Sequence, residues 1–245
     1  MYLYKYKSGN NRDIEAVLND QLWVPTYNTL NDPQDFPLYD KKADEEALEN
    51  YINNFEKSHC CLSLSTTPNS KRLWNYYTNG MAGLVIAYDQ KDIAAALEKA
   101  GVSYLSDRVT YDGEKFDLSE SIADYFLVAQ LSQLPGDIFF HKSKDWEDER
   151  EYRYVFDYDQ NKPYYIYPNG FLLAGVKPHH IFIGYKMAKE DKEKLVEYCM
   201  TNRICLYEIK PNRQSPDTKD FNKKHLVCRD GSLANRKESY KAVLK

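Results

Sequence analysis

The sequence predicts a single α+β domain in which mixed, mostly antiparallel sheets are flanked by helices. Helix and strand patterns are interleaved in the first half of the chain, whereas strand patterns dominate from Glu151 to Gly184. That distribution differs from the regular strand–helix alternation of a doubly wound parallel sheet. A length of 245 residues, with 42% hydrophobic and 29% charged residues, also falls within the range of one globular domain.

We expect this domain to span residues 1–210. Pro211–Asp220 is rich in proline and polar residues, which is typical of a loop. Residues 211–245 are therefore predicted to form that loop and a weakly structured C-terminal tail, which packs on the domain or extends from it.

Hydrophobic periodicity predicts the individual elements. Alternation with a period of two indicates strands, and a short apolar run bounded by turn residues indicates a central strand. Apolar residues three or four positions apart indicate helices that bury one face. On these criteria the strands are Tyr2–Lys7, Leu22–Pro25, Cys60–Ser65, Gly83–Tyr88, Val109–Tyr111, Glu151–Tyr158, Tyr164–Tyr167, His180–Gly184 and Ile204–Ile209. The helices are Arg12–Asp20, Ala43–Phe55, a helix from its cap Asn69 to Gly80, Asp92–Ala100 before Gly101, Ser119–Leu131 and Lys189–Met200.

Composition argues against several classes of function. The net charge of −4 and the pI of about 5.8 offer no strongly basic face for a nucleic-acid backbone, so no nucleic-acid partner is predicted. No stretch reaches the roughly 18 apolar residues that span a bilayer, and the N-terminus lacks a signal-peptide core, which predicts a cytoplasmic protein without a membrane partner. The five cysteines contain no C-x-x-C pair and the five histidines have no ligand spacing, so we expect reduced thiols and no metal site.

The candidate site is the acidic and aromatic segment Lys142–Arg153. If a strand begins near Glu149, then Glu149, Glu151 and Arg153 share one of its faces. Two carboxylates at this spacing lie about 6.5–7 Å apart at Cα and can act on neighbouring atoms of one ligand. Their like charges favour a raised pKa for one of them, which suits proton transfer beside a developing cationic sugar carbon. The alternative is a ladder of ion pairs on a solvent-exposed strand.

Three other segments carry candidate ligand contacts. Ser63 and Ser65 lie on one face of a predicted strand and offer hydroxyls to a ribose or to a catalytic carboxylate. Lys7 offers a charge to a pyrophosphate, and Tyr6 belongs to an aromatic strand face that can stack on a base. The alternatives are ordinary strand termination and an edge strand protected by lysines.

Trp74 and Tyr77 form the last of these segments, at helical spacing before Gly80 and Gly83. The alternative for this aromatic pair is a pair of core anchors. Neither of the two glycine-rich phosphate-binding motifs occurs in the chain, so a standard nucleotide-binding loop is not predicted.

In order along the chain, these segments resemble a known bacterial family. Five motifs carry the resemblance. They are Tyr4-Lys5-Tyr6-Lys7-Ser8, Leu30-Asn31-Asp32-Pro33 with Asp35, Ser63-Leu64-Ser65, Trp74 with Tyr77 and Gly83, and Lys142…Trp146…Glu149-Arg150-Glu151-Tyr152-Arg153. It is to the domain-of-unknown-function 2971 family, which includes abortive-infection proteins of the AbiGi type, and it covers roughly residues 2–185. The resemblance implies a role in anti-phage defence.

A second resemblance implies an activity. The order of three motifs is similar to that of arginine-type ADP-ribosyltransferases: a basic first strand, a serine-containing strand and then a Glu-x-Glu strand. Lys7 stands where an arginine is usual in that family. By this resemblance, Glu151 holds a ribose hydroxyl of NAD and Glu149 assists an unknown macromolecular acceptor. The cofactor contacts it implies are Lys7, Tyr6, Ser63, Ser65, Trp74, Tyr77, Lys142 and Arg153. An ADP-ribosyltransferase-like fold and an NAD cofactor follow as expectations.

Two other functions are compatible with the same residues. A non-catalytic sensor or protein-interaction module of a bacterial defence system uses the two glutamates only as ion-pair partners. A metal-dependent nuclease would use Glu208-Ile209-Lys210, but the sequence offers no convincing upstream aspartate and no basic surface.

Overall fold

The chain is divided between two structural units that each draw on separate stretches of sequence. The computed structural model describes residues 1–30, 38–39, 45–113, 116–117, 138–157, 169–212 and 222–234. The first unit contains Met1–Leu22, Leu64–Ala96 and Ala174–Lys245, and the second contains Trp23–Ser63 and Leu97–Leu173. The predicted division at residue 210 stays a prediction.

Strands and helices follow one another in mixed order. In chain order the strands are β1 (Tyr2–Lys7), β2 (Gln21–Pro25), β3 (Leu38–Tyr39), β4 (His59–Ser65), β5 (Leu84–Asp89), β6 (Leu105–Arg108), β7 (Phe116–Asp117), β8 (Glu151–Asp157), β9 (Gly170–Ala174), β10 (His180–Gly184), β11 (Cys205–Pro211), β12 (Asn222–Arg229) and β13 (Ser232–Leu233). The helices are α1 (Asn11–Leu18), α2 (Glu45–Ser58), α3 (Lys71–Tyr76), α4 (Gln90–Lys99) and α5 (Lys189–Asn202), with short 3-10 helices at Tyr27–Thr29, Ile138–Phe140 and Lys144–Glu149.

A large mixed sheet organises the first unit. Its strands follow the order β13-β12-β11-β10-β5-β1, and the pair β10–β11 is parallel while the others are antiparallel. Helix α5 connects the parallel pair and packs against α1, β11 and β12, as expected for a crossover connection. Helix α3 adds Trp74 to a core cluster that also contains Tyr6 and Phe182.

The second unit contains a smaller set of strands in the order β4-β8-β6. Strand β8 is buried on both faces from its first residue to Phe156, and β6 pairs with it in antiparallel register, with Leu105 opposite Val155. Tyr27, Phe55 and Phe139 form an aromatic cluster beside α2, with ring centroids 5.8–6.4 Å apart. Phe139 also connects this cluster to β8, because its carbonyl oxygen accepts from Arg153 Nη1 at 2.9 Å.

The α+β class and the mostly antiparallel pairing are confirmed, and most predicted elements are present with small shifts at their ends. Two predicted elements, Ser119–Leu131 and Tyr164–Tyr167, lie outside the described residues. The cap of α3 is Ser70, whose hydroxyl accepts from Leu73 N, and the predicted cap Asn69 precedes it by one residue. The helix ends at Tyr76, before the predicted stop at Gly80.

The predicted strand at Val109–Tyr111 is wrong, and so is the weak structure predicted for the tail in its described part at 222–234. The strand lies earlier, at β6, and Thr110 forms only an isolated bridge with His141. Strands β12 and β13 occupy 222–233, within the predicted tail. Strands at or near the edge of a sheet tolerate polar residues because one side faces solvent, so these segments lack the apolar pattern that identifies a central strand.

Two further expectations concern membrane-spanning segments and the state of the cysteines. None of the helices in the described ranges is long and apolar enough to cross a membrane. All five cysteines are free thiols, and four of them are buried. Cytoplasmic localisation stays a prediction.

A close backbone crossing at Gly184 provides a test of the first unit. A Cβ atom at this position would lie 2.0 Å from the carbonyl oxygen of Met81. We expect Gly184→Ala to lower the free energy of unfolding by about 3 kcal/mol or more, because the backbone at Met81 must move. Urea denaturation measures this loss. Gly80→Asn is the control: nothing lies within 4 Å of a Cβ there, and asparagine tolerates its φ of +60°, so a similar loss in both variants would contradict the packing argument.

Candidate functional site

The candidate site lies in the second unit, where two loop segments run alongside each other next to β8. Thr110 N donates to Phe140 O at 2.6 Å, and Lys142 N donates back to Thr110 O at 3.0 Å. Val109 N donates to Glu151 O at 3.1 Å. These bonds fix Lys142 beside the first residue of the strand.

A short 3-10 helix positions Glu149. Lys144–Glu149 is capped by Ser143, and it ends because Arg150 adopts the left-handed conformation with φ 47°. Strand β8 then starts at Glu151. The expectation that Glu149 lies on the strand face of Glu151 and Arg153 is therefore wrong, because the turn at Arg150 separates the two glutamates into different elements.

The two glutamates nevertheless meet at one ammonium group. Lys142 Nζ donates to Glu149 Oε2 at 2.9 Å and to Glu151 Oε1 at 2.8 Å. The other oxygen of Glu151 accepts from Arg153 Nε at 2.6 Å, and Arg153 Nη1 donates to Phe139 O at 2.9 Å. We call Lys142, Glu149, Glu151 and Arg153 the charge cluster.

The charge cluster is buried. Glu149 and Glu151 retain 4% and 5% of their exposure, Lys142 5% and Arg153 none. The alternative of a solvent-exposed ion-pair ladder is therefore wrong, since the ion pairs are present but shielded from water. Buried ion pairs gain stronger attraction but lose hydration, so removing one partner is far costlier than at the surface.

Two aromatic residues also contact the charge cluster. The hydroxyl of Tyr111 accepts a 2.7 Å hydrogen bond from Glu151 N, and the Lys142 ammonium lies 4.9 Å from the centre of the Trp146 ring. Sequence reasoning missed Tyr111: forty residues separate it from Glu151, and no spacing pattern connects them.

The two glutamates differ in ionisation. Burial, together with a hydrogen bond to Glu151 and the negative charge of that residue, raises the pKa of Glu149 from 4.5 to about 7. Burial also opposes ionisation of Glu151, but the charges of Arg153 and Lys142 outweigh it and hold its pKa well below the usual range. The shared ammonium explains the split: Glu151 has a second cation, so it keeps the negative charge and Glu149 takes the proton.

Lys7 lies in the first unit and is held by a carboxylate. Its ammonium is 3.3 Å from Asp13 Oδ1, and Ser8 Oγ donates to Asp13 Oδ2 at 2.9 Å. Burial lowers the pKa of Lys7, against the effect of Asp13. A phosphate at this position would compete with Asp13.

Tyr6, Trp74 and Tyr77 belong to the core cluster of the first unit. Tyr6 OH donates to Thr67 O at 2.9 Å, and Trp74 Nε1 donates to Pro68 O at 2.8 Å. The Tyr6 and Trp74 rings meet edge to face at 5.9 Å, and Tyr77 packs against the same cluster. These contacts are those of core anchors.

The boundary between the two units of the chain lies within β4, and the two serines are on opposite sides of it. Ser63 is half-buried in the second unit, whereas Ser65 is buried in the first and accepts from Thr67 N at 3.2 Å. Assignment of Ser63, Ser65 and the three aromatic residues to cofactor binding stays a prediction.

The proposed nuclease residues have other partners. Glu208 accepts from Lys192 at 2.6 Å and lies 2.6 Å from Lys210 Nζ. Within the part of the chain that the structure describes, no group of three His, Cys, Asp or Glu side chains is placed to hold a metal ion.

The comparison with known proteins concerns the region of the charge cluster. Residues 73–154 match the family model described as "Protein of unknown function (DUF2971)", which is about a third of the chain. The matched stretch begins at α3 and ends within β8, so it includes the whole charge cluster. This match supports the resemblance to that family of unknown function. No curated protein and no solved structure matches the chain.

The raised pKa of Glu149 predicts a pH-dependent stability. The folded protein binds this proton more tightly than the unfolded chain, so the free energy of unfolding falls as the pH rises from about 4.5 to about 7. Glu149→Gln removes this titration. Over that pH range, we expect the variant to gain about 1–3 kcal/mol relative to the wild type, measured by urea denaturation at several pH values.

Two further variants test whether this pH dependence comes from Glu149. Glu147→Gln changes an exposed glutamate of the same 3-10 helix and should reproduce the wild-type pH dependence. Glu151→Gln should act on the acidic side, because the stability from its lowered pKa is lost only as the pH falls below about 4.5. An unchanged pH dependence in Glu149→Gln would show that Glu149 does not titrate in this range.

Proposed function

We propose that the protein is an NAD-using enzyme of the ADP-ribosyltransferase type, with Glu149 and Glu151 as its catalytic carboxylates. The observation that carries the proposal is the convergence of two buried glutamates on the Lys142 ammonium, an environment that raises the pKa of Glu149 and lowers that of Glu151. At neutral pH one carboxylate stays anionic while its neighbour is poised to exchange a proton. Pairs of carboxyl groups whose environments separate their pKa values are typical of acid–base sites.

The two glutamates have different roles in this reaction. Ionised Glu151 accepts a hydrogen bond from a ribose hydroxyl and stabilises the cationic sugar carbon as its bond to nicotinamide breaks. Nicotinamide leaves with the electron pair of that bond. The acceptor, or water, then forms the new bond to the sugar carbon, and its proton passes to Glu149 in its ionised form, which is populated at neutral pH because the pKa is about 7.

Lys142 controls access to the two carboxylates. Its ammonium occupies one oxygen of each glutamate and lies over Trp146. A ribose hydroxyl that replaces Lys142 on Glu151 releases the ammonium for the diphosphate of the same ligand. Arg153 keeps its own bond to Glu151, so the carboxylate remains ionised after Lys142 has moved.

The resemblance to abortive-infection proteins supports a biological context. We propose that the enzyme acts as an anti-phage effector that uses NAD, either by modifying a macromolecule or by consuming the nucleotide. Phage challenge of cells that express the wild type or Glu151→Gln tests this context separately from the chemistry.

A second candidate function is a non-catalytic sensor or interaction module of a defence system. The burial of the charge cluster favours it, since all four charged groups retain 5% exposure or less and are satisfied by one another. In this function the charge cluster only holds the two loop segments against β8, and NAD is not consumed.

Glu151→Gln separates the two candidates. If the chain is an enzyme, this nearly isosteric change should reduce nicotinamide release from NAD at least about a hundredfold, because the anion beside the sugar carbon is lost. Release of nicotinamide, and transfer of labelled ADP-ribose to cell fractions, are measured by chromatography. Glu147→Gln, an exposed glutamate of the adjacent helix, should keep full activity.

Folding of the variants is checked by circular dichroism, since Glu151 is buried. If Glu151→Gln fails to fold, Glu149→Gln replaces it, because the change at Glu151 disturbs the contacts with both Lys142 and Arg153. Wild-type protein that neither releases nicotinamide nor transfers label in any fraction would overturn the enzymatic proposal. Preserved phage defence in a folded Glu151→Gln would favour the non-catalytic module.

A further inference from the structure

A patch of aromatic rings covers part of one sheet face in the first unit. None of its residues belongs to the charge cluster. It is formed by Tyr4 of β1, His180 and Phe182 of β10 and Tyr207 of β11, with Lys224 of β12 beside them. We call these five residues the aromatic patch.

Strand register places these side chains on one face. Tyr4 and His180 both lie opposite Ala87 of the strand between them, and Phe182 lies opposite Tyr207. Side chains of directly paired residues point to the same side of a sheet. The small Ala87 leaves the rings of Tyr4 and His180 free to lean towards each other, with centroids 6.2 Å apart.

The rings form a half-exposed surface over a buried centre. Phe182 is buried, while Tyr4, His180 and Tyr207 are half-buried. Phe182 stacks on Tyr207 at 5.3 Å and meets His180 edge to face at 5.1 Å. The patch therefore presents aromatic surface to a ligand without first having to unpack a core.

Lys224 brings a positive charge to this surface. Its ammonium lies 5.0 Å from the centre of the Phe182 ring, and burial lowers its pKa. Among the residues that the structure describes, no carboxylate pairs with it. A half-buried cation on an aromatic surface gains from an anionic partner, since the attraction is stronger there than in water.

His180 stays neutral in this environment. Burial, with the neighbouring His179 and Lys224, lowers the pKa of His180 to about 4. At neutral pH the patch thus contains one cation and a neutral imidazole, which can donate or accept a hydrogen bond at the edge of a bound ring.

We propose that the aromatic patch is a binding site for a mononucleotide, whose base stacks on Tyr207 and meets the nearly perpendicular His180 ring at its edge, and whose phosphate meets Lys224. Stacking of bases on aromatic side chains of a sheet face is a general mode of nucleotide recognition. A polynucleotide fits less well, because the chain has a net charge of −4 and a strand of phosphates needs many cations. The site does not rest on the proposed NAD chemistry, because it uses none of the charge-cluster residues.

Calorimetric titration of the full chain with AMP, adenosine and inorganic phosphate tests the site. We expect AMP to bind with a Kd below about 1 mM and adenosine to bind about tenfold more weakly, since one charge-assisted contact is lost. Phosphate alone should bind weakly, because it gains no stacking. Failure of AMP to bind at several times this concentration would overturn the proposal.

Variants locate the bound AMP. Lys224→Met keeps the apolar stem and should lower AMP affinity about tenfold while leaving adenosine unchanged. Lys186→Met is the matched control, since Lys186 lies over the Tyr185 ring at 5.6 Å on an exposed part of the same unit, and it should bind AMP as the wild type does. Equal losses in both variants would overturn the assignment.

Two more variants separate this site from the charge cluster. Tyr207→Leu should weaken AMP and adenosine alike, because it removes a stacking surface, and Lys224→Met remains decisive if Tyr207→Leu does not fold. Glu151→Gln should bind AMP with wild-type affinity. If Glu151→Gln weakens AMP and Lys224→Met does not, the nucleotide binds at the charge cluster and the aromatic patch is not its site.

Discussion

The ammonium of Lys142, held at 2.9 Å from Glu149 and 2.8 Å from Glu151, is the contact on which the second unit depends most. It lies where two loop segments, a 3-10 helix and β8 meet, and it gives two buried carboxylates the positive charge without which they could not both remain there. Arg153 supplies the second positive charge, so that two cations balance two potential anions. Because the four groups are mutually satisfied, a change in any one of them alters the ionisation of the others.

This arrangement requires an unusual backbone at one residue. Arg150 takes the left-handed conformation, which is uncommon for a residue with a Cβ atom and costs free energy. That conformation ends the 3-10 helix and starts the strand within a single residue, which brings Glu149 and Glu151 to the same ammonium from different elements. On a continuous strand the two side chains would leave the backbone in parallel, about 6.5–7 Å apart at Cα, whereas here they reach the ammonium from two different elements.

The sequence predicted the elements with strong periodicity, such as β1, β5 and β10, because their apolar pattern reflects burial. It did not predict β6 or β12, where polar residues are tolerated near the edge of a sheet. For the candidate site, the pattern Glu149-Arg150-Glu151-Tyr152-Arg153 identified the charged residues but not their burial, since an exposed ladder and a buried cluster have the same spacing. The role of Tyr111 depends on a contact across forty residues, which no local pattern encodes.

Three lysines show how the balance of charge distinguishes structural from ligand-binding cations. Lys7 is paired with Asp13, so a phosphate there must displace a carboxylate that is already in place. Lys142 is shared by two glutamates and becomes available only when a ligand replaces it on one of them. Lys224 lies over Phe182 with no carboxylate partner in the described ranges, so none of the described carboxylates has to be displaced before an anion binds there. The cost of freeing the cation therefore increases from Lys224 to Lys142, because a displaced buried carboxylate must find a new donor or take up a proton. On the two proposals made above, nucleotide binding at the aromatic patch would leave the ion pairs of the described residues in place, whereas catalysis at the charge cluster would rearrange them.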